Sequence, residues 1–168
     1  AVIFEKAKNP AYILEIDFWS DREFDRTNAT KAYEIAVSSA KKTKNEILQL
    51  RYAYQAVVLG YYLNKREDVH TLFTETILPL KSNSIITEWA RFYDACMLEN
   101  ELERYLIFAR LFEQTRSKNE YIYKHFPRDK ETHEKVLAIC ETDEDRANVI
   151  ALTAFMNPAR GLEEIKQI

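Results

Sequence analysis

Apolar side chains recur every three to four residues along most of this sequence, and this spacing constrains the fold more than any other feature. One such stripe consists of Ile47, Leu50, Tyr54, Val57 and Tyr61. A period near 3.6 places these side chains on one face of an α-helix, whereas a half-buried strand alternates strictly. The chain also has only 2 glycines and 4 prolines in 168 residues, too few for the many turns of an all-β fold. The sequence therefore predicts an all-α protein.

Similar stripes predict further helices along the chain. They consist of Ala32, Ile35, Ala36 and Ala40; Val69, Leu72, Phe73 and Ile77; Ile86, Trp89, Ala90, Tyr93 and Met97; Leu102, Tyr105, Leu106, Ala109 and Phe112; His133, Val136, Leu137 and Cys140; and Ala147, Ile150, Ala151, Ala154 and Phe155. Short connections force neighbouring helices to run antiparallel. We therefore expect stacked antiparallel helix hairpins in a single domain over residues 1–168, either complete or part of a longer array. Residues 1–28 form an N-terminal arm that the pattern leaves open between a short helix and an extended segment.

Residues typical of helix ends separate these stripes. Asn64 is suited to a left-handed helix end, and Pro79 is expected to stop the helix that precedes it. Thr142 and Asn157 are typical N-caps, and Asn157 is followed by Pro158 at the first helical position. These positions predict where the hairpins turn.

The charge, the apolar runs and the cysteines exclude some classes of protein. A formal net charge of −3 argues against nucleic acid as the main partner, because that requires a basic face. No apolar run approaches the roughly 20 residues that span a bilayer, so we expect no membrane insertion. Cys96 and Cys140 lie on apolar stripes and are expected to be buried thiols, although a disulfide between them stays open.

A segment near the middle of the chain combines several features of one known repeat. A helix with the small residues Ala53, Ala56 and Gly60 is followed by a turn at Asn64 and by the run Glu67 to Phe73. This order over residues 51–77 resembles a tetratricopeptide repeat (TPR). The family usually has glycine where this chain has Asn64.

A second, weaker copy runs from Ile86 to Phe112. Phe108 lies 35 residues after Phe73, close to the TPR period of about 34. Arg104 stands where the family places a small residue. The resemblance implies an α-solenoid, in which stacked hairpins form a right-handed superhelix.

TPR proteins typically bind peptides or partner proteins in a concave groove lined by the first helix of each pair. On this resemblance, the groove residues are Arg51, Tyr54, Tyr62, Trp89 and Tyr93. Arginine and aromatic residues most often anchor interfaces. The alternative is that Tyr54, Trp89 and Tyr93 are core residues, because each also lies on an apolar stripe.

No pattern of catalytic or metal-binding residues stands out. His125, Asp129 and His133 could be imagined as metal ligands, but Pro127 interrupts the helix that would align them. We therefore expect two histidines in a loop or at a helix edge. The acidic groups at 143–145 and 163–164 are expected to be solvated, and no glycine-rich phosphate loop or nucleophile elbow is present. The sequence predicts no cofactor, no metal and no enzyme activity.

The function that fits these features is a protein-interaction or scaffolding module that binds a peptide or partner protein. One alternative is a structural spacer or dimerisation segment of a larger protein. Another is an enzyme whose site is assembled across helices. A homo-oligomer is left open. Resemblance to large helical-repeat proteins of the bacterial cell envelope favours the envelope or periplasm, with the cytoplasm as the alternative.

Overall fold

A computed structural model describes residues 26–112 and 114–166 of the chain. These residues form nine α-helices with short π and 3-10 segments, and no strand occurs among them, which confirms the all-α prediction for this part of the chain. The N-terminal arm lies outside the described residues except for 26–28, which belong to the first helix. The chain divides into two compact units, 1–97 and 98–168. A single domain over residues 1–168 stays a prediction.

Within residues 26–97, the first unit has two antiparallel helices followed by a shorter pair. These helices are α1 (Arg26–Lys42), α2 (Glu46–Tyr62), α3 (Arg66–Thr71) and α4 (Ile85–Met97). The helix α3 continues as a π-helix (Leu72–Ile77) and a 3-10 turn (Leu78–Leu80). The helix α2 is central, because it packs against α1, the π-helix and α4.

Small residues explain how closely α1 and α2 approach. Four alanines of α1, including Ala32 and Ala36, are buried, as are Ala53 and Ala56 of α2. The helix α2 begins after Asn45, whose side chain accepts a hydrogen bond from the Leu48 backbone N–H at 3.1 Å. The hairpin is therefore held by an alanine-lined contact and a capped start.

Two left-handed residues make the sharp turns of this unit. Asn64 has φ 59°, as predicted, and Lys65 N–H donates to the Gly60 carbonyl to close the helix end. Pro79 does not stop its helix as predicted. It lies inside the 3-10 turn, and the chain reverses only at Lys81, with φ 47°. Proline is tolerated there because the first turn of a 3-10 helix needs no donor from it.

The second unit contains the remaining five helices. They are α5 (Glu101–Leu111), α6 (Asn119–His125, preceded by the 3-10 turn Arg116–Lys118), α7 (Lys130–Ala138), α8 (Asp143–Met156) and α9 (Pro158–Ile165). The helix α5 packs against α7 and α8, and α8 packs against α9. Side-chain caps start four of these helices. The cap residues are Asn100, Asp129, Thr142 and Asn157, and the last two confirm the prediction.

The predicted buried face of α8 is confirmed at Ile150, which is buried, but is otherwise wrong by part of a turn. Ala147, Ala151 and Phe155 are exposed, and Phe155 has 63% of its surface accessible. The helix buries Val149 and Leu152 beside Ile150. These side chains remove more apolar surface from water than two alanines do, so they decide which face turns inward.

Two isoleucines of the first unit were also assigned wrongly to the core. Ile35 and Ile47 are exposed, with 45% and 66% of their surfaces accessible. The buried face of α1 consists of Ala29, Ala32, Tyr33, Ala36 and Ala40, so Ile35 lies to one side of the face that contacts α2.

Candidate functional site

The helices α2 and α4 bring five aromatic rings together in what we call the aromatic cluster. Its members are Tyr54, Tyr61 and Tyr62 of α2 and Trp89 and Tyr93 of α4. Tyr54 lies 6.1 Å from Trp89 and 6.4 Å from Tyr93 between ring centroids. Tyr61 lies 5.2 Å from Tyr93. The four aromatic residues predicted for the groove are thus neighbours in space.

Burial within the cluster differs from ring to ring. Tyr93 is buried, with 7% of its surface accessible, as the core alternative predicted for it. Tyr54, Tyr61, Tyr62 and Trp89 are half-buried. Rings that are half-buried keep an apolar face toward the protein and can still offer an edge or hydroxyl to a partner.

The hydroxyl groups of the cluster are also connected. Burial raises the pKa of Tyr93, and a hydrogen bond from Tyr62 opposes part of this increase. Tyr62 of α2 and Tyr93 of α4 are therefore held together by a hydrogen bond as well as by ring packing.

A charged side chain lies beside the aromatic cluster. Arg51 is exposed and lies one helical turn before Tyr54 on α2, so both side chains share a face. The cluster is therefore an aromatic patch with an exposed cation next to it. The sequence pattern placed Tyr61 only on an apolar stripe, so its membership of the cluster was missed.

The second unit contains a buried polar network centred on His133, contrary to the prediction for this residue. His133 has 1% of its surface accessible. Its Nδ1 lies 3.0 Å from Thr153 Oγ1, and its Nε2 lies 3.0 Å from the Glu164 carboxylate. His133 begins an apolar stripe, and this position was the sequence signal for burial. His125 is exposed, as predicted, and stacks on the Tyr121 ring.

The environment of His133 favours its neutral form. Burial lowers the pKa of His133 and nearby Arg160 lowers it further, whereas Glu164 opposes the decrease. A neutral ring with its proton on Nε2 donates to Glu164, and its Nδ1 then shares the single Thr153 hydroxyl proton with the Val149 carbonyl, which lies 2.9 Å from Thr153 Oγ1. Glu164 also accepts from Arg160 Nε at 2.9 Å. This network joins α7, α8 and α9.

A pocket of about 130 Å³ lies beside this network. It is lined by Pro127, Arg128, Thr153, Met156, Asn157 and Arg160. Thr153 and Arg160 belong to both the network and the pocket wall. No sequence pattern pointed to this pocket, because its residues come from three separate segments of the chain.

The acidic residues at 143–145 and 163–164 are not all solvated, contrary to the prediction from the sequence. Asp143 and Glu144 are exposed, but Asp145 is buried and accepts from Arg110 at 2.6 and 2.9 Å. This guanidinium lowers the pKa of Asp145, and the Thr142 hydroxyl contributes to the decrease. Glu164 is also largely buried, at 15% side-chain accessibility, by its contacts with His133 and Arg160. Solvation was therefore the wrong prediction for one acidic residue in each group.

The two cysteines do not form a disulfide. Cys140 is buried as predicted, and its thiol donates to the Val136 carbonyl at 3.3 Å. Burial raises the pKa of Cys140, so the protonated thiol is favoured. Cys96 is half-buried.

Among residues 26–112 and 114–166, no group of three or more His, Cys, Asp or Glu side chains is arranged to hold a metal ion. None of the helices formed there is both long enough and apolar enough to cross a membrane.

Comparison with known proteins gives no family. No family model, curated protein or solved structure matches this chain.

Proposed function

We propose that this chain is a protein-interaction module of the TPR-like helical-repeat class, which binds a peptide or partner protein without catalysis. The binding surface consists of Arg51, Tyr54, Tyr62, Trp89 and Tyr93, joined by Tyr61. One observation carries the proposal: two neighbouring helices bring these aromatic rings into a single patch that is partly exposed.

The order and packing of the first four helices support the TPR-like part of the proposal. In a TPR array, the first helices of successive pairs lie side by side, and the second helix of each pair packs behind them. Here α2 packs directly against α4, while α3 and its π-helical extension contact both. The helix α1 packs against α2 as the second helix of a preceding pair would. We extend this to a right-handed superhelix, in which α2 and α4 line the concave face.

The chemistry of the patch supports binding by aromatic anchoring. Aromatic side chains supply a large contact area at low cost in conformational entropy. The ring centroids of Tyr61 and Tyr62 lie 5.2 Å apart, and each ring also contacts the buried Tyr93 ring. Rings held in this way are already in place before a partner arrives, which reduces the cost of binding. The exposed Arg51 adds a cation that can pair with an acidic residue or a backbone carbonyl of the peptide.

The proposal is tested by selecting peptides against the folded protein. A phage-displayed library of short random peptides is panned on the protein, and a fluorescein-labelled selected peptide is titrated by fluorescence polarisation. We expect Trp89→Ala to weaken binding by about 30-fold, since central aromatic anchors contribute about 2 kcal/mol. Tyr62→Ala and Arg51→Ala should weaken it by smaller factors.

The matched control is Phe155→Ala. This substitution removes an aromatic ring that is 63% exposed in the second unit and should leave the affinity unchanged. Circular dichroism confirms that each variant is folded. The proposal is contradicted if no peptide is enriched, or if the selected peptides bind Trp89→Ala and Tyr62→Ala as tightly as the unchanged protein.

A further inference from the structure

We propose that the pocket between Arg128 and Arg160 in the second unit binds a carboxylate group attached to a short aliphatic chain. This inference does not depend on the aromatic cluster. It rests on the charge, the donors and the size of the pocket.

Two guanidinium groups, those of Arg128 and Arg160, line the pocket. They differ in whether a carboxylate of the protein pairs with them. Arg160 donates through Nε to Glu164 at 2.9 Å and through Nη2 to the Lys130 carbonyl at 3.4 Å. Arg128 is exposed and lies 5.3 Å from the centre of the Tyr123 ring. Among the residues that the structure describes, no carboxylate forms an ion pair with Arg128. Its cation is therefore available to a ligand.

Among the described residues, the neighbouring carboxylates offset the charge of Arg160 but form no ion pair with Arg128. Glu164 directs its oxygens to Arg160 and His133, and it does not line the pocket. Asp129 follows Arg128 in the chain, but its side chain accepts from the Thr132 backbone N–H at 2.7 Å as the cap of α7. No acidic side chain is among the residues of the pocket wall. The pocket thus favours an anion.

The remaining wall determines what kind of anion fits. Asn157 Oδ1 already accepts from the Arg160 backbone N–H at 3.3 Å, so the NH2 group of this amide is the donor left for a ligand. Pro127 and Met156 supply apolar surface. The cavity volume of about 130 Å³ limits the ligand to a small molecule or to the end of a larger one. A planar carboxylate suits the guanidinium and the amide, and a short aliphatic chain suits the apolar surface.

Such a carboxylate has two sources. It can be a free short-chain carboxylic acid, or it can be the C-terminal carboxylate of a peptide with a small apolar last residue. The chemistry that the pocket recognises is the same in both cases.

The test uses sodium butyrate as the probe and two-dimensional ¹H–¹⁵N NMR of the full chain at constant ionic strength. We expect saturable shifts of the backbone amides around Arg128, Asn157 and Arg160, with a dissociation constant in the millimolar range. Butyramide has the same size without the charge and should cause no saturable shift. Arg128→Gln should weaken butyrate binding by at least five-fold, and Arg128→Lys should weaken it less.

Arg116→Gln is the control, because it removes an equally exposed cation of the same unit away from the pocket. It should leave the dissociation constant unchanged. The proposal is overturned if butyramide binds as well as butyrate, if Arg116→Gln weakens binding as much as Arg128→Gln, or if the shifts do not saturate.

A second titration distinguishes the two sources. Acetyl-alanyl-leucine with a free carboxylate is compared with the same dipeptide as its C-terminal amide. Tighter binding of the free-acid dipeptide than of butyrate supports a peptide terminus, whereas tighter binding of butyrate supports a small acid. If the dipeptide acid binds detectably, equally tight binding of its amide contradicts the proposal.

Discussion

Gly60 is a position where one added atom would press mainly on a single buried side chain. A Cβ at this position would lie 2.8 Å from the Val69 Cγ2 methyl group, which is fully buried, and 3.3 Å from the Tyr33 ring. Alanine in place of glycine favours a helix interior by about 1 kcal/mol, but overpacking a core costs about 1–3 kcal/mol. We expect Gly60→Ala to lower the free energy of unfolding by about 1 kcal/mol, measured by urea denaturation.

The double variant Gly60→Ala/Val69→Ala isolates the cause of this loss. Removing the Val69 methyl groups opens a cavity on its own, but it also makes room for the new Cβ. The free energy of unfolding of the double variant should therefore be about 1 kcal/mol higher than the value expected from adding the two single effects. Simple additivity would show that contact with Val69 is not the reason.

Lys81 and Asn64 show how residue type decides the cost of a left-handed turn. Both have positive φ, but asparagine tolerates this region far better than lysine. Lys81→Gly should raise the free energy of unfolding by about 0.5–1 kcal/mol, whereas Asn64→Gly should change it by about half as much or less. Chemical denaturation of both variants measures the difference. A larger gain at Asn64 would contradict this explanation.

At the scale of helices, the His133 network holds α7, α8 and α9 together and makes their stability depend on pH. The folded pKa of His133 is lowered from 6.5, first by burial. At pH values just below 6.5, the unfolded chain therefore binds more protons than the folded protein does. The free energy of unfolding decreases as the pH falls through this range. Glu164, Arg160 and Glu134 are the charged groups around the ring, and Thr153 is its neutral partner.

His133→Gln removes this titration. We expect it to lower the stability of the second unit by about 2 kcal/mol at neutral pH, since buried hydrogen bonds are lost. It should also flatten the stability profile between about pH 5 and pH 7. His125→Gln is the matched control, because that ring is exposed, and it should keep the slope. Urea denaturation across this pH range gives both results. An unchanged slope in His133→Gln would refute this role.

At the scale of a whole folded unit, the ion pair between Arg110 and Asp145 links α5 to α8. The folded pKa of Asp145 is lowered, first by Arg110. The stabilisation by ionised Asp145 is therefore fully present above the pKa of an unfolded aspartate, about 3.9. It is lost as the pH falls through the lower pKa that Asp145 has in the folded protein. We expect Arg110→Met to cost about 2 kcal/mol at neutral pH, less than for a fully buried pair because Arg110 is partly exposed. The free energy of unfolding of the Arg110→Met variant should also fall less steeply below about pH 5 than that of the unchanged protein.

Lys124→Met is the comparison for this effect. Lys124 is exposed and pairs with the exposed Glu120 within one helix. Exposed ion pairs within one helix contribute little to stability, so this substitution should have a small effect at every pH. A loss as large as that of Arg110→Met would show that removal of any cation destabilises the chain.

Sequence patterns located the helices and some of the site, but they placed side chains less well. The caps at Thr142 and Asn157 were predicted because capping depends only on residues within one turn. The aromatic residues Tyr54 and Trp89 were predicted together, because the TPR resemblance put them on corresponding helices. His133 was missed because the pairing with Glu164 joins residues 31 apart in sequence.

The spacing of apolar residues and the shortage of turn residues were enough to establish helices and most of their ends. These properties depend on hydrogen bonds and side chains within a few residues of each other. Which helix face is buried, which carboxylates are solvated and where a pocket opens depended on the tertiary structure. On α8, Ala151 and Leu152 compete to face inward, and only contact with the neighbouring helices resolves that competition. Burial is a property of pairs of elements, so the pattern of one element does not specify it.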